Sequence, residues 1–325
     1  MLKVSTTYST SNTNRNLYHI VTRSAIGYKK VLRGKSSEDA IDTVRLKKAV
    51  ICAVADGHGD PRCKYASIGS KLATKVACGV LRDVVTGIPN ITKLYDYFCD
   101  YRDEIAQQIV QEWNKSVFED YLIKGDSDKA IQVNDAMFEY INSMFSPIGK
   151  QMSIEETRRY YANRDTLVDF LHQITKLYGT TLNAVVITEN FIFGIGIGDG
   201  DIIAVQGKQV DWLLRPSEQF STRTESLCYK PQAALEAFRS IVVRKTKSKK
   251  RRLADTGVQP DYVLLATDGL RNSFLSDERF VEKLISISAE KKQGYIKFQR
   301  NSQRWIEQLT KDSSYQDDIT FGFIY

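Results

Sequence analysis

Four acids stand where apolar runs stop or start, and together they could hold divalent metals that hydrolyse a phosphate ester. Val50–Ile51–Cys52–Ala53–Val54–Ala55 breaks off at Asp56–Gly57–His58–Gly59–Asp60. A buried strand ends this way when it delivers polar groups to a site at its edge. Asp199, Asp268 and Asp317 occupy similar strand-edge positions. Carboxylates gathered at one point hold hard divalent cations. Two such ions about 3.5–4 Å apart clamp a phosphate, neutralise its charge and turn a bridging water into hydroxide. The uncatalysed reaction is among the slowest known, and enzymes accelerate it by up to about 10²¹-fold.

Convergence needs a particular arrangement of strands. Lys48–Ala55 and Tyr262–Thr267 read as buried strands that end at Asp56 and Asp268, while Ile319–Tyr325 is a last strand entered through Asp317–Asp318. If the last strand runs antiparallel to the other two, its start lies beside their ends, and the three acids share one edge of one sheet. Asp199 leaves a strand through a glycine turn and can join them.

Other elements follow from periodicity. Leu17–Ile26 and Ala40–Val44 read as strands, with the basic, glycine-punctuated stretch Gly27–Ser37 between them as a loop or hairpin. Tyr65, Ile68, Leu72, Val76 and Val80 recur at helical spacing. Residues 92–178 are mostly helical, with Trp113, Phe118, Met137, Tyr140, Ile141 and Phe145 as apolar ridges and a last helix over Ile154–Leu177. Thr180–Thr188, Phe191–Ile197, Ile202–Gln206 and Val210–Leu214 form a meander. Gly194, Gly196, Gly198 and Gly200 alternate within it, which leaves one face open to close packing. Arg215–Pro260 is less regular, and helices are expected near Asp277–Ala289 and Tyr295–Leu309.

Composition narrows the class. The 325 residues are 42% hydrophobic and 26% charged, enough for a sizeable core. The net charge of +7 suits anionic partners. Five cysteines form no CxxC pair, which argues against a disulfide framework or a zinc ribbon and for a reducing, cytoplasmic compartment. With three histidines, any metal is held by carboxylates, which points to magnesium or manganese. No apolar run is long enough to span a membrane.

The residues also resemble a known family, the metal-dependent serine/threonine protein phosphatases of type 2C. Ser37–Glu38–Asp39–Ala40, Asp56–Gly57–His58–Gly59, Gly179–Thr180–Thr181–Leu182, Gly198–Asp199–Gly200, Thr267–Asp268–Gly269 and Asp317–Asp318–Ile319–Thr320 occur in the family's order. The resemblance implies an α+β fold, a four-layer αββα sandwich with two central, mostly antiparallel sheets flanked by helices. It implies one catalytic domain over 1–325, elaborated by helices at about 92–178 and a basic loop at about 240–256. Two Mn²⁺ or Mg²⁺ ions and a third, weaker site are implied, with phosphoserine or phosphothreonine in proteins as substrate and a metal-activated water as nucleophile.

Carried over by position, Asp56 bridges both ions and Gly57 offers its carbonyl to the second. Asp268 and Asp317 complete the first, Glu38 and Asp39 orient bound waters, and Asp199 belongs to the third site. His58 is the general acid. The family's phosphate-binding arginine falls at Gly34 here, so Arg33, Lys30 and Lys35 are the candidates. Position 60 is Asp where many members have Gly, and position 201 is Asp where Gly-Asp-Ser-Arg members have Arg.

A lone Asp–Gly after a strand is ordinarily a turn; it is the ordered set that carries the chemistry. Gly34–Lys35–Ser36 lacks the upstream glycine of a P-loop. His19 and His172 read as structural or surface residues, and Trp113, Trp212 and Trp305 as core. The run Arg244–Arg252 is a solvated loop, with an acidic or phosphorylated docking partner or a nuclear-import signal as the sharper readings. It lacks interleaved aromatics, so nucleic acid is not favoured. A second functional reading keeps the fold as a catalytically weak, phosphoprotein-binding scaffold.

Overall fold

The structure is a computed structural model that describes residues 18–124, 168–169, 171–215, 224–245, 260–291 and 295–325. Strand β3 (Ala49–Ala55) is buried at every residue because its two faces meet different layers. Val50, Cys52 and Val54 enter a core between two sheets, while Ala49, Ile51, Ala53 and Ala55 lie under helix α2 (Ala66–Gly87). The period of two along a strand makes this division.

Each sheet has five antiparallel strands. One runs β2 (Ala40–Arg45), β3, β4 (Leu182–Thr188), β5 (Phe191–Ile197), β8 (Arg239–Arg244). The other runs β1 (Ile20–Ala25), β10 (Ile319–Ile324), β9 (Tyr262–Ala266), β6 (Asp201–Gln206), β7 (Gln209–Leu214). Val185, Ile192, Ile202, Val263 and Leu265 fill the space between them. Helices α2, α3 (Ile91–Asp100) and α4 (Arg102–Lys124) cover the first sheet, and α7 (Asp277–Lys291) and α8 (Tyr295–Asp312) cover the second. This is the expected αββα layering.

Helix α2 sits close to its sheet because its buried stripe is small: Ala66, Gly69, Ala73 and Ala77, with Leu81 beyond. The larger Ile68, Leu72 and Val76 pack half-buried at its side, so the stripe is rotated by about one residue from the expected ridge. A Cβ on Gly69 would collide with the Tyr178 carbonyl, and the Gly69 carbonyl accepts from the Trp113 indole at 3.1 Å. Helix α3 starts where Asn90 Oδ1 accepts from the Thr92 and Lys93 amides, a side-chain cap that satisfies orphan donors.

Several expectations need correction. Gly27–Ser37 contains a short helix, α1 (Tyr28–Leu32). The meander breaks at Gly198–Gly200, where the chain leaves β5 for the other sheet, so β6 and β7 do not extend β4 and β5. Arg215–Pro260 contributes helix α5 (Pro231–Ala237) and the edge strand β8. Asp56 follows a strand of one sheet and Asp268 and Asp317 flank strands of the other, so the acids meet across two stacked sheets. The alternating glycines make room for packing: a Cβ on Gly196 or Gly200 would collide with the buried Asn183 side chain. Met137, Tyr140, Ile141, Phe145, most of the expected helix over Ile154–Leu177, and residues 246–252 of the basic run lie outside the described residues. Trp113 is fully buried; Trp212 and Trp305 are half-buried against the core of the second sheet.

Candidate active site

A backbone clamp fixes the Asp56 corner. The Asp56 amide donates to Thr181 Oγ1 at 3.0 Å, and its carbonyl accepts from the Thr181 amide and the Thr180 hydroxyl, both at 2.9 Å. The His58 amide donates to the Gly179 carbonyl at 3.0 Å. Gly179–Thr180–Thr181 thus holds Asp56–Gly57–His58 in register. Position 57 tolerates no side chain, because a Cβ there would lie 2.7 Å from the Glu38 carbonyl and 2.8 Å from that of Ala66.

Strand ends deliver the acids to this corner. The Asp56 carboxyl stands among those of Asp39, Asp268 and Asp317, whose charges act on it. Burial, and then the charges of Asp39, Asp268 and Asp317, push the Asp56 carboxyl well above the usual carboxylate range. Burial and Asp318 push Asp39 up to about 7, and burial and Asp199 do the same to Asp268. Thr267 Oγ1 accepts from the Thr320 amide at 3.1 Å and donates to Asp39 Oδ2 at 2.8 Å. The other Asp39 oxygen is buried with no hydrogen-bond partner among the described residues.

Such crowding is unfavourable unless a cation joins it. No three His, Cys, Asp or Glu side chains among the described residues form a ready ligand cage. The orphaned oxygen and the purely oxygen donor set fit magnesium or manganese once the carboxyls are deprotonated. Asp317 stands at the rim with its side chain 48% exposed, and Asp199 accepts from Thr224 Oγ1 at 3.0 Å on the Asp268 side.

Sequence reading missed Asp318. This buried acid accepts from the Gly27 amide at 2.7 Å and from the Glu38 amide and Lys30 Nζ at 2.8 Å. It ties α1, the Glu38–Asp39 corner and the Asp317 loop together, although its partners lie 280 to 291 positions away in sequence. Only its place beside Asp317 gave a signal. Asp318→Ala leaves the Gly27 and Glu38 amides without their acceptor and Lys30 with Glu38 as its close partner, so it costs about 1–3 kcal/mol of stability. Denaturant unfolding checks this, and an unchanged midpoint contradicts it.

Of the three basic candidates for phosphate, Lys30 is already engaged. Its Nζ lies 2.7 Å from Glu38 Oε2 and 2.8 Å from Asp318 Oδ2. Burial pulls its pKa down, but these bonds outweigh that and raise it. Arg33 and Lys35 are exposed just beyond α1. His58 packs on Gly179, and burial pulls its pKa below the usual histidine value against the opposing pull of Asp199, Asp60 and Glu38. The unusual Asp60 receives the Arg62 guanidinium. Asp201 is fully buried and paired with Arg271.

A two-sheet αββα fold with an acid cluster at one end defines a metallophosphatase-type architecture. The family model for protein phosphatase 2C matches residues 26–294, and the chain belongs to that family, the metal-dependent serine/threonine protein phosphatases. Asp317 and Asp318 fall beyond the matched span and rest on the structure. A crystal structure of a bacterial serine phosphatase superposes with a TM-score of 0.50 at 13% identity, covering 95% of this chain and 97% of that one. Serine/threonine phosphatase Stp1 from Staphylococcus aureus gives 0.49 at 13% identity, covering 98% of both chains. The catalytic domain of the phosphatase PstP, in complex with two manganese ions, gives 0.44 at 13% identity, covering 94% of this chain and 97% of that one. No curated protein sequence matches significantly. No helix among the described residues is long and apolar enough to cross a membrane.

Proposed function

We propose that this chain removes phosphate from phosphoserine or phosphothreonine in proteins at the Asp39–Asp56–Asp268–Asp317 cluster. The supporting observation is the meeting of these acids at the facing ends of two sheets. Two Mn²⁺ or Mg²⁺ ions bound there supply charge neutralisation and an activated water. Asp56, central among the acids, is the residue to hold both ions, with the Gly57 carbonyl, Asp268 and Asp317 completing the set. Glu38 and Asp39 orient waters from the Lys30–Asp318 side, and Asp199 with Asp268 serves the third, weaker ion. Arg33 and Lys35 face solvent and can meet the phosphate without breaking an internal ion pair, which Lys30 cannot. Five cysteines, none in a disulfide, support the cytoplasmic reading. An acidic partner for the 244–252 run rests on charge alone.

Metal-titrated release of phosphate from phosphopeptides tests the activity. No turnover at any manganese or magnesium concentration would leave the scaffold reading in its place. Removing metal with EDTA abolishes turnover. His58, above its glycine and beside Asp60 and Asp199, is placed to give a proton to the leaving oxygen. His58→Ala therefore slows phosphoserine peptides about a hundredfold more than p-nitrophenyl phosphate, whose leaving group needs no proton. Equal slowing of both removes that role. Arg33→Ala raises KM for phosphopeptides with a smaller effect on kcat, and an unchanged KM passes the phosphate contact to Lys35.

A further inference from the structure

We propose that the buried Asp201–Arg271 ion pair positions Asp199 and Asp268 toward each other and so sets the affinity of the weakest metal site. The proposal rests on the metal reading above. Arg271 Nε donates to Asp201 Oδ2 at 2.9 Å, and Asp201 is completely buried. Asp201 lies two residues after Asp199 and opens β6; Arg271 lies three residues after Asp268, on helix α6 (Asp268–Asn272). The ladder pairs Asp201 with Ala266, two residues before Asp268. One ion pair therefore joins the turn that carries Asp199 to the helix that starts with Asp268.

The surroundings hold the pair in one orientation. Arg239 donates to the Gly198 and Arg215 carbonyls, and Arg215 pairs with Asp277. Gly198, at φ +103°, starts the turn, and Asn183 is wedged between Gly196 and Gly200. A buried ion pair is weak evidence for stability, because apolar residues of similar volume often do as well or better; fixing a register is its best-attested use.

Manganese binding by titration calorimetry on the full chain tests the proposal, using Asp201→Asn, Arg271→Gln, Arg271→Lys and the exchanged pair D201R/R271D. Partners that orient metal ligands typically change affinity 10–100-fold, so each single neutral variant weakens the last manganese to bind by about tenfold or more. The tighter sites change less, and the exchanged pair recovers part of the loss. Should the neutral variants fail to fold, Arg271→Lys keeps the charge but shortens the reach, and it still weakens the last site. Folded variants that bind every manganese like the parent chain overturn the proposal. A parent chain that binds no manganese refutes the metal reading itself, so the two failures are distinguishable.

Discussion

Asp56→Asn abolishes manganese-dependent turnover of p-nitrophenyl phosphate, by about a thousandfold or more, because the variant loses the carboxylate placed to hold both ions. The same change raises the melting temperature of the metal-free chain. Burial, and then the charges of Asp39, Asp268 and Asp317, penalise the Asp56 carboxylate. An amide of equal size fills the same space without the charge. Loss of activity with gain of stability separates a functional acid from a structural one. Assays at saturating manganese and thermal melts after chelation give both readouts. A variant that keeps its turnover, or melts lower, contradicts the site.

Raising the pH from about 4 to about 7 destabilises the metal-free protein, and manganese reverses this. Asp39 and Asp268 have folded pKa values raised from 3.8 to about 7. Between those values the folded state keeps protons that the unfolded chain has released, so stability falls as pH rises. The contribution is complete below the unfolded pKa and is lost as pH passes through about 7. Divalent ions replace those protons. At about 100 times its dissociation constant, one bound manganese adds about 2.7 kcal/mol, a shift of several degrees in melting temperature at pH 7.5. Near pH 5 the shift shrinks because protons compete for the same oxygens. Melts at both pH values with and without manganese decide it. A larger manganese shift at pH 5 contradicts the account.

Much of the site was legible because strand ends announce themselves. The runs before Asp56 and Asp268 are short, apolar and β-branched, and each stops at Asp–Gly, so both strands and both acids could be read from sequence alone. Sheet membership could not. β3 and β9 are buried on both faces, and a uniformly apolar run carries no sign of which sheet it joins. The same limit hid the crossing at Gly198–Gly200, where a continued meander and a change of sheet have the same glycine-rich spelling. β8 was obscured by the basic residues around it, since an edge strand need not be strongly apolar. Asp318 and the Asp201–Arg271 pair depend on partners from distant segments, and no local periodicity encodes such contacts.

The most direct test is anomalous diffraction at the manganese absorption edge from crystals of the chain grown with manganese. The account predicts two strong peaks about 3.5–4 Å apart, with Asp56 between them, Asp268 and Asp317 on one and the Gly57 carbonyl on the other. A weaker peak is expected between Asp199 and Asp268. No anomalous density among these residues at saturating manganese would contradict it.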